Sequence, residues 1–203
     1  MHNNTPHREA ASRTLSRLGR QFFEYIEFDD DEELIAEIHK HPFGLLVIEL
    51  TGFLISVLVT GATIAIAFAL KESDVVQDPG LISSLQPIIV IVGLVLGVLG
   101  IGATFLAGWI YKNNVIFVTN EKIAQVLYTS ILNRKVSQLS IGDVQDVTIS
   151  QKGLFSRLFR FGKMVIETAG EQQNYTFTYI PNPYENSQVI VGAHEKNLRQ
   201  YGN

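Results

Sequence analysis

Two apolar runs without a single charge, Leu50–Leu70 and Ile88–Ile110, set the pattern of this chain. At about 1.5 Å of rise per residue they span roughly 31 and 35 Å, enough for a bilayer core of about 30 Å. A core helix of a water-soluble protein would carry a polar face, and neither run has one. Both therefore predict membrane-spanning helices. Between them, Lys71–Gln86 is short and polar with an Asp78-Pro79-Gly80 turn signal, which predicts an antiparallel hairpin with both termini on one side. Lys40, Lys112 and Lys122 flank that side against Lys71 alone in the connection, so the positive-inside rule places both termini in the cytoplasm. The expected organisation is an N-terminal arm (1–42), a two-helix hairpin (43–112, spans about 46–70 and 87–111) and a cytoplasmic domain (113–203).

After the second run the pattern changes to period two. Val115–Val118 and Ile123–Tyr128 read as a β-hairpin across Thr119-Asn120-Glu121-Lys122. Further strands are expected at Arg134–Leu139, Val144–Ser150, Lys163–Thr168 and Tyr175–Ile180, the last two joined by an Ala169-Gly170-Glu171 turn. Pro181-Asn182-Pro183 ends the sheet, and Ser187–Arg199 reads as a closing helix. Six strands and a helix in so short a segment predict a small barrel or curled sheet capped by the helix.

Ahead of the first span, Leu15, Leu18, Phe22 and Ile26 recur at helical spacing near Arg13, Arg17 and Arg20. That face suits an anionic membrane surface or packing on the protein itself, and the segment also reads as having no ordered element. The acidic run Asp29–Glu33 offers a helix start, yet Leu34, Ala36 and Ile38 also read as a strand. Pattern leaves both open. Within the spans, Gly61, Ala65 and Ala69, then Gly93 and Gly97, then Ala103 and Ala107 repeat at four-residue spacing, which permits close helix contact.

Composition narrows the chemistry. A net charge of −4 argues against a nucleic-acid partner, although the arm holds five basic and nine acidic residues and the last domain nine and seven. The absence of cysteine excludes disulfides, thiolate metal sites and a cysteine nucleophile. His39 and His41 form a His-x-His pair without an evident third ligand, so no metal site is expected, and no pattern indicates a cofactor. Ser140, Ser150 and Ser156 lack a nucleophile-elbow context, and Asp143 and Asp146 make a poor acid pair. No catalytic residue is expected. Spans free of ionisable groups point to an anchor rather than a transporter, with an accessory role in a transport complex as the alternative. Trp109, Tyr111 and Lys112 suit an interfacial anchor, and Glu49 a headgroup position.

Several segments are familiar in their order and spacing. Trp109-Ile110-Tyr111-Lys112-Asn113-Asn114 leads into Val115–Ile123, followed by Ile141-Gly142-Asp143-Val144-Gln145-Asp146-Val147, Gly153-Leu154-Phe155-Ser156-Arg157-Leu158-Phe159 and Phe161–Gly170. Together with His41-Pro42 these resemble the bacterial pleckstrin-homology-like (PH-like) membrane proteins of the YdbS type, over about residues 32–185. The resemblance implies a helical hairpin followed by a cytoplasmic PH-like barrel with a C-terminal helix, in the bacterial cell membrane. It implies no catalytic residues and no settled ligand, hence an interaction module for a protein partner, a second copy of itself or membrane lipid. Eukaryotic PH domains bind inositol phosphates through basic residues of their first hairpin loop. The turn Asn120-Glu121-Lys122, with one cation and one anion, argues against that use here.

The segment Lys152–Lys163 combines four cations with three phenylalanines and two leucines between two expected strands. Lys152, Arg157, Arg160 and Lys163 suit lipid headgroups or a partner, with Phe155 and Phe159 entering the interface. The alternative is that Leu154, Phe155, Leu158 and Phe159 cap one end of the barrel.

Overall fold

The computed structural model describes residues 14–23, 25–26, 28–29, 32–72, 79–168 and 174–201. It divides into two compact units, one formed by the two flanks (up to Gly44 and from Ile110) and one by Leu45–Trp109.

The hairpin unit lies within two long helices, α2 (Pro42–Glu72) and α3 (Pro79–Lys112). Both are long and apolar enough to cross a membrane. Helix α3 starts well before the end of the expected polar connection. Proline is suited to a first helical turn, and the Ser83 and Ser84 hydroxyls both donate to the Gly80 carbonyl, so Leu81–Gln86 is helical despite its polarity. Where the helices meet, glycine faces hydroxyl. A β-carbon on Gly52, Gly93, Gly97 or Gly100 would collide with Thr104, Thr63, Thr60 or Ser56 respectively. Ser56 and Thr104 satisfy their hydroxyls on carbonyls of their own helices, 2.8 Å away in each case. Gly93 and Gly97 thus serve the contact that their spacing predicts. Gly61, Ala65, Ala69, Ala103 and Ala107 face outward instead.

The other unit holds seven strands among the described residues. β1 (Leu34–His39), β2 (Val115–Thr119), β3 (Lys122–Tyr128) and β4 (Arg134–Ser140) form one antiparallel sheet in that order. β5 (Val144–Ser150), β6 (Phe161–Thr168) and β7 (Tyr175–Pro181) form a second. A short helix, α4 (Leu154–Leu158), sits in the β5–β6 connection, and α5 (Pro183–Tyr201) closes the unit. No ladder joins β4 to β5 or β7 to β1 among the described residues, so the expected barrel is two facing sheets rather than a hydrogen-bonded closure. At the β1–β7 seam a cleft of about 230 Å³ remains, lined by Ile38, Lys40, Gln125 and Thr178.

Residues 34–39 resolve as a strand, paired antiparallel with β2 from Leu34↔Thr119 to His39↔Val115. The hairpin is therefore an insertion between two neighbouring strands of one sheet. Inward-facing Ile116, Val118, Ile123, Leu139, Met164, Ile166 and Phe177 pack with Ile190 and Ala193 of α5. The opposite face of the first sheet is covered by the arm. Helix α1 (Arg17–Phe23) and the chain on either side of it place Leu15, Phe22, Phe23, Ile26 and Phe28 against Val115, Phe117, Ala124 and Val126. Covered on both faces, β2 is buried at every position, which is why its sequence is a continuous apolar run. The arm's apolar face is thus engaged by the protein's own sheet, with Arg17 and Arg20 exposed; Arg13 lies outside the described residues.

Candidate functional site

The register fixes which turns share an end of the domain. His39 opposes Val115, Val115 opposes Val126, and Val126 opposes Val136, so the β3–β4 turn (Thr129–Asn133) lies at the end from which the hairpin departs. The β5–β6 connection lies there too, because the His41 amide donates to the Tyr179 carbonyl at 2.6 Å and the His41 ring packs 5.3 Å from Phe161.

An aromatic stack organises this hairpin end. Phe43, in the first turn of α2, lies face to face with Phe161 at 4.9 Å, Phe159 at 5.1 Å and Phe155 at 5.7 Å between centroids. Phe161 continues onto Tyr179 at 5.3 Å, and Tyr179 meets Tyr111 edge-on. Such pairs contribute about 0.5–1.5 kcal/mol each beyond area burial. Three non-glycine residues with left-handed backbone, Arg160, Tyr179 and Asn182, cluster here, Tyr179 within a bulge of β7. The bulge aims the Tyr179 carbonyl at His41.

His41 joins these parts. Its Nδ1 accepts the Phe43 amide at 3.1 Å, its carbonyl accepts the Gly44 amide and the Tyr111 hydroxyl (2.7 Å), and its ring bonds the Phe159 backbone. Burial holds its pKa below the ordinary value despite that last bond, so the neutral ring is the form the structure uses. With Nδ1 committed to capping α2, His41 is no metal ligand in this arrangement. His39 is committed elsewhere, to Glu37 Oε1 at 2.5 Å.

The residues expected to make contact, Lys152, Phe155, Arg157, Phe159, Arg160 and Lys163, are all exposed at this end. Phe155 and Phe159 pack one flank on Phe43 and leave the other open. Leu154 and Leu158 are 75% and 67% exposed, so the four apolar side chains do not cap the barrel; α4 turns them outward. Lys152 and Lys163 border a cleft of about 390 Å³ with Ser150, Ser156 and Thr178. Of the interfacial trio, Trp109 and Lys112 are exposed, whereas Tyr111 is buried: its hydroxyl seeks His41 and its ring meets Gly44, so it is a protein contact.

The far end is built differently. Asn120 and Glu33 exchange hydrogen bonds, the Glu33 amide donating to Asn120 Oδ1 (2.7 Å) and the Asn120 amide to the Glu33 carbonyl (3.1 Å). Asn197 of α5 donates to the Asn120 carbonyl. The carboxylates of Asp29, Glu32 and Glu121 converge within 4.8 Å. Lys122 Nζ, 2.9 Å from the wholly buried Glu32 and 3.5 Å from Asp29, supplies a positive charge there. Burial would lower the Lys122 pKa, but the bond and attraction to Glu32 outweigh it and raise it. The first inter-strand connection is the whole segment 40–114, not Asn120–Lys122, which joins β2 to β3. Sequence alone hid this because β1 lies ahead of the spans.

Among the described residues, Ser16, His39 and Glu37 form a serine–histidine–carboxylate grouping. Ser16 Oγ donates to Glu37 Oε1 (2.5 Å) and lies 3.3 Å from His39 Nε2, the same nitrogen that Glu37 contacts. A nucleophile relay needs the hydroxyl and the carboxylate on opposite ring nitrogens. Here Ser16 instead caps α1 by accepting the Gly19 amide, while Glu37 accepts the Ser16 amide. His194 contacts the Ile141 carbonyl through Nδ1, and Asp146 takes the Thr148 hydroxyl.

The sequence of residues 43–185 matches the family model described as bacterial PH domain, so the chain belongs to that family. Its hairpin, two antiparallel sheets and closing helix fit a PH-like domain carrying two apolar helices. No curated protein matches it. Among solved structures it is similar to a DUF1696 family protein with a pleckstrin-homology domain from Shewanella loihica PV-4, at 12% identity over 40% of this chain and 70% of that one, with a TM-score of 0.33.

Proposed function

We propose that the protein is a membrane-anchored, non-catalytic interaction module whose PH-like domain rests on the anionic cytoplasmic lipid surface through the β5–β6 connection. The observation that carries this reading is the exposure of Leu154, Phe155, Leu158 and Phe159, together with the exposed cations Lys152, Arg157, Arg160 and Lys163 of the same connection, at the end where α2 and α3 attach. Water offers no gain for four exposed apolar side chains, whereas a bilayer interface gains about 25 cal/mol per Å² that they bury. Each nearby cation adds about 1 kcal/mol toward an anionic surface, enough in sum to orient a domain already tethered.

Two further observations support it. Both long helices expose apolar side chains along their length, which suits hydrocarbon. A β-ladder cannot form through a bilayer, so the β1–β2 pairing agrees with both flanks lying on one side. The positive-inside rule makes that side the cytoplasm. For a non-catalytic role, the misplaced Ser16–Glu37–His39 geometry removes the one relay candidate among the described residues.

The test uses the full-length chain, which has no native cysteine to interfere. A Leu158→Cys variant carrying an environment-sensitive fluorophore goes into nanodiscs of neutral or anionic lipid, with quencher-bearing lipids reporting contact. Quenching that strengthens with anionic lipid, and that Arg157→Gln, Arg160→Gln and Lys163→Gln together abolish, is the expected result. A label that stays aqueous in every lipid overturns the reading. Stoichiometric protein capture without lipid contact would turn it toward a protein partner.

A further inference from the structure

The β3–β4 turn repeats at smaller scale what the β5–β6 connection does. Between Tyr128 and Arg134 the chain reverses through Thr129–Asn133, closed by the Thr129 amide on the Asn133 carbonyl at 3.0 Å. Turns at a water-facing end are polar, as at Asn120-Glu121. This one carries Ile131 and Leu132 at its tip, 50% and 98% exposed, so Leu132 has essentially no protein around it. Arg134 and Lys135 follow after Asn133 and are exposed. The Arg134 guanidinium lies 3.7 Å from the centre of the half-exposed Tyr25 ring, which fixes a cation beside an amphipathic aromatic.

Position gives the pattern its meaning. The strand register brings this tip to the same end of the domain as the hairpin connections. The turn and its flanks from Thr129 to Lys135 hold two cations and no carboxylate, so the charge complements an anionic surface and not a basic one. An apolar tip with cations one step behind it is the order in which a bilayer presents its own layers, hydrocarbon beneath phosphate.

We propose that Ile131 and Leu132 form a second lipid-inserting prong, with Arg134 and Lys135 on headgroup phosphates, so that the domain meets the anionic bilayer at two loops drawn from its two sheets. This rests on the reading that the domain lies on that bilayer. A single loop leaves the domain free to rock about its contact; two loops remove that freedom and fix one orientation.

Single-cysteine variants of the full-length chain, Leu132→Cys, Leu158→Cys and the far-end Glu121→Cys, are labelled and compared in anionic phosphatidylglycerol nanodiscs and in detergent. The expected result is a rise of about threefold or more in emission at Leu132→Cys, with quenching by shallow lipid quenchers, and no change at Glu121→Cys. Adding Arg134→Gln and Lys135→Gln to Leu132→Cys removes the dependence on anionic lipid while far-ultraviolet dichroism stays unchanged. An aqueous Leu132→Cys beside a lipid-embedded Leu158→Cys overturns the second prong and leaves the first contact standing. Aqueous signals at both positions overturn both.

Discussion

The two ends of the β domain are made from the same materials, antiparallel strands joined by turns, yet they are finished in opposite ways. At the far end, Asn120, Glu33 and Asn197 exchange hydrogen bonds, and Lys122 meets buried Glu32. At the hairpin end, bonded groups such as His41 and Tyr111 lie beside apolar side chains that the domain leaves half or more exposed, Leu154 and Leu158 among them. Turn composition thus separates closing a fold from equipping it. Polar partners complete one end for water; the other is stable inside but apolar outside, which is what a neighbour other than water requires.

The largest effect should come from the closed end. Lys122→Met leaves Glu32 buried without its cation, and such a loss costs about 3–5 kcal/mol, read by denaturant unfolding of the solubilised chain. A loss below about 1 kcal/mol would break the contrast. Next, Gly44→Ala forces a β-carbon into the Tyr111 hydroxyl and displaces it from His41. The cost should be about 1–3 kcal/mol, with Tyr111→Phe costing about 1 kcal/mol through the lost bond alone.

Acid and alkali should separate the ends more gently. His41 has a depressed pKa, so the stability its neutral ring contributes is present above about 6.5, its ordinary value, and is lost as pH falls through the folded value. Thermal unfolding should therefore drop between pH 7 and 5, and His41→Asn should flatten that part of the profile. Lys122 has a raised pKa, so its contribution is full below 10.5 and lost only in stronger alkali. Smallest of all, Arg157→Gln, Arg160→Gln and Lys163→Gln should move stability by no more than about 0.5 kcal/mol, despite their expected effect on lipid contact.

Much of this was legible in the sequence because local pattern carries it. The apolar spans, the six strands after them and the closing helix each follow from a period that neighbouring residues share. What stayed hidden depends on distant partners. The pairing of Leu34–His39 with Val115–Thr119 joins segments separated by the entire hairpin, so their own pattern read equally as helix or strand. Leu154, Phe155, Leu158 and Phe159 have the spacing of a helical stripe, and spacing does not say whether a stripe is buried or displayed. Tyr111 reads as an interfacial aromatic and Phe43 draws no reading, and only the fold shows both gripping the domain. The Ile131-Leu132 tip did leave a sign, two large apolar residues in a tight turn, which strand periodicity passes over.

The insertion of the hairpin between β1 and β2 also sets an order of assembly. A ribosome delivers β1 first, then both helices, and only then the strand that β1 must join. On the proposed membrane-anchored reading, the sheet is completed only after the second helix has brought the chain back to the side where β1 waits. A copy whose helices were mis-threaded would keep Phe22, Phe23 and Ile26 without their sheet face and β2 without its neighbour. On that reading, completion of the domain depends on correct threading, because the β1–β2 pairing and the arm's apolar contacts both need the two flanks on one side.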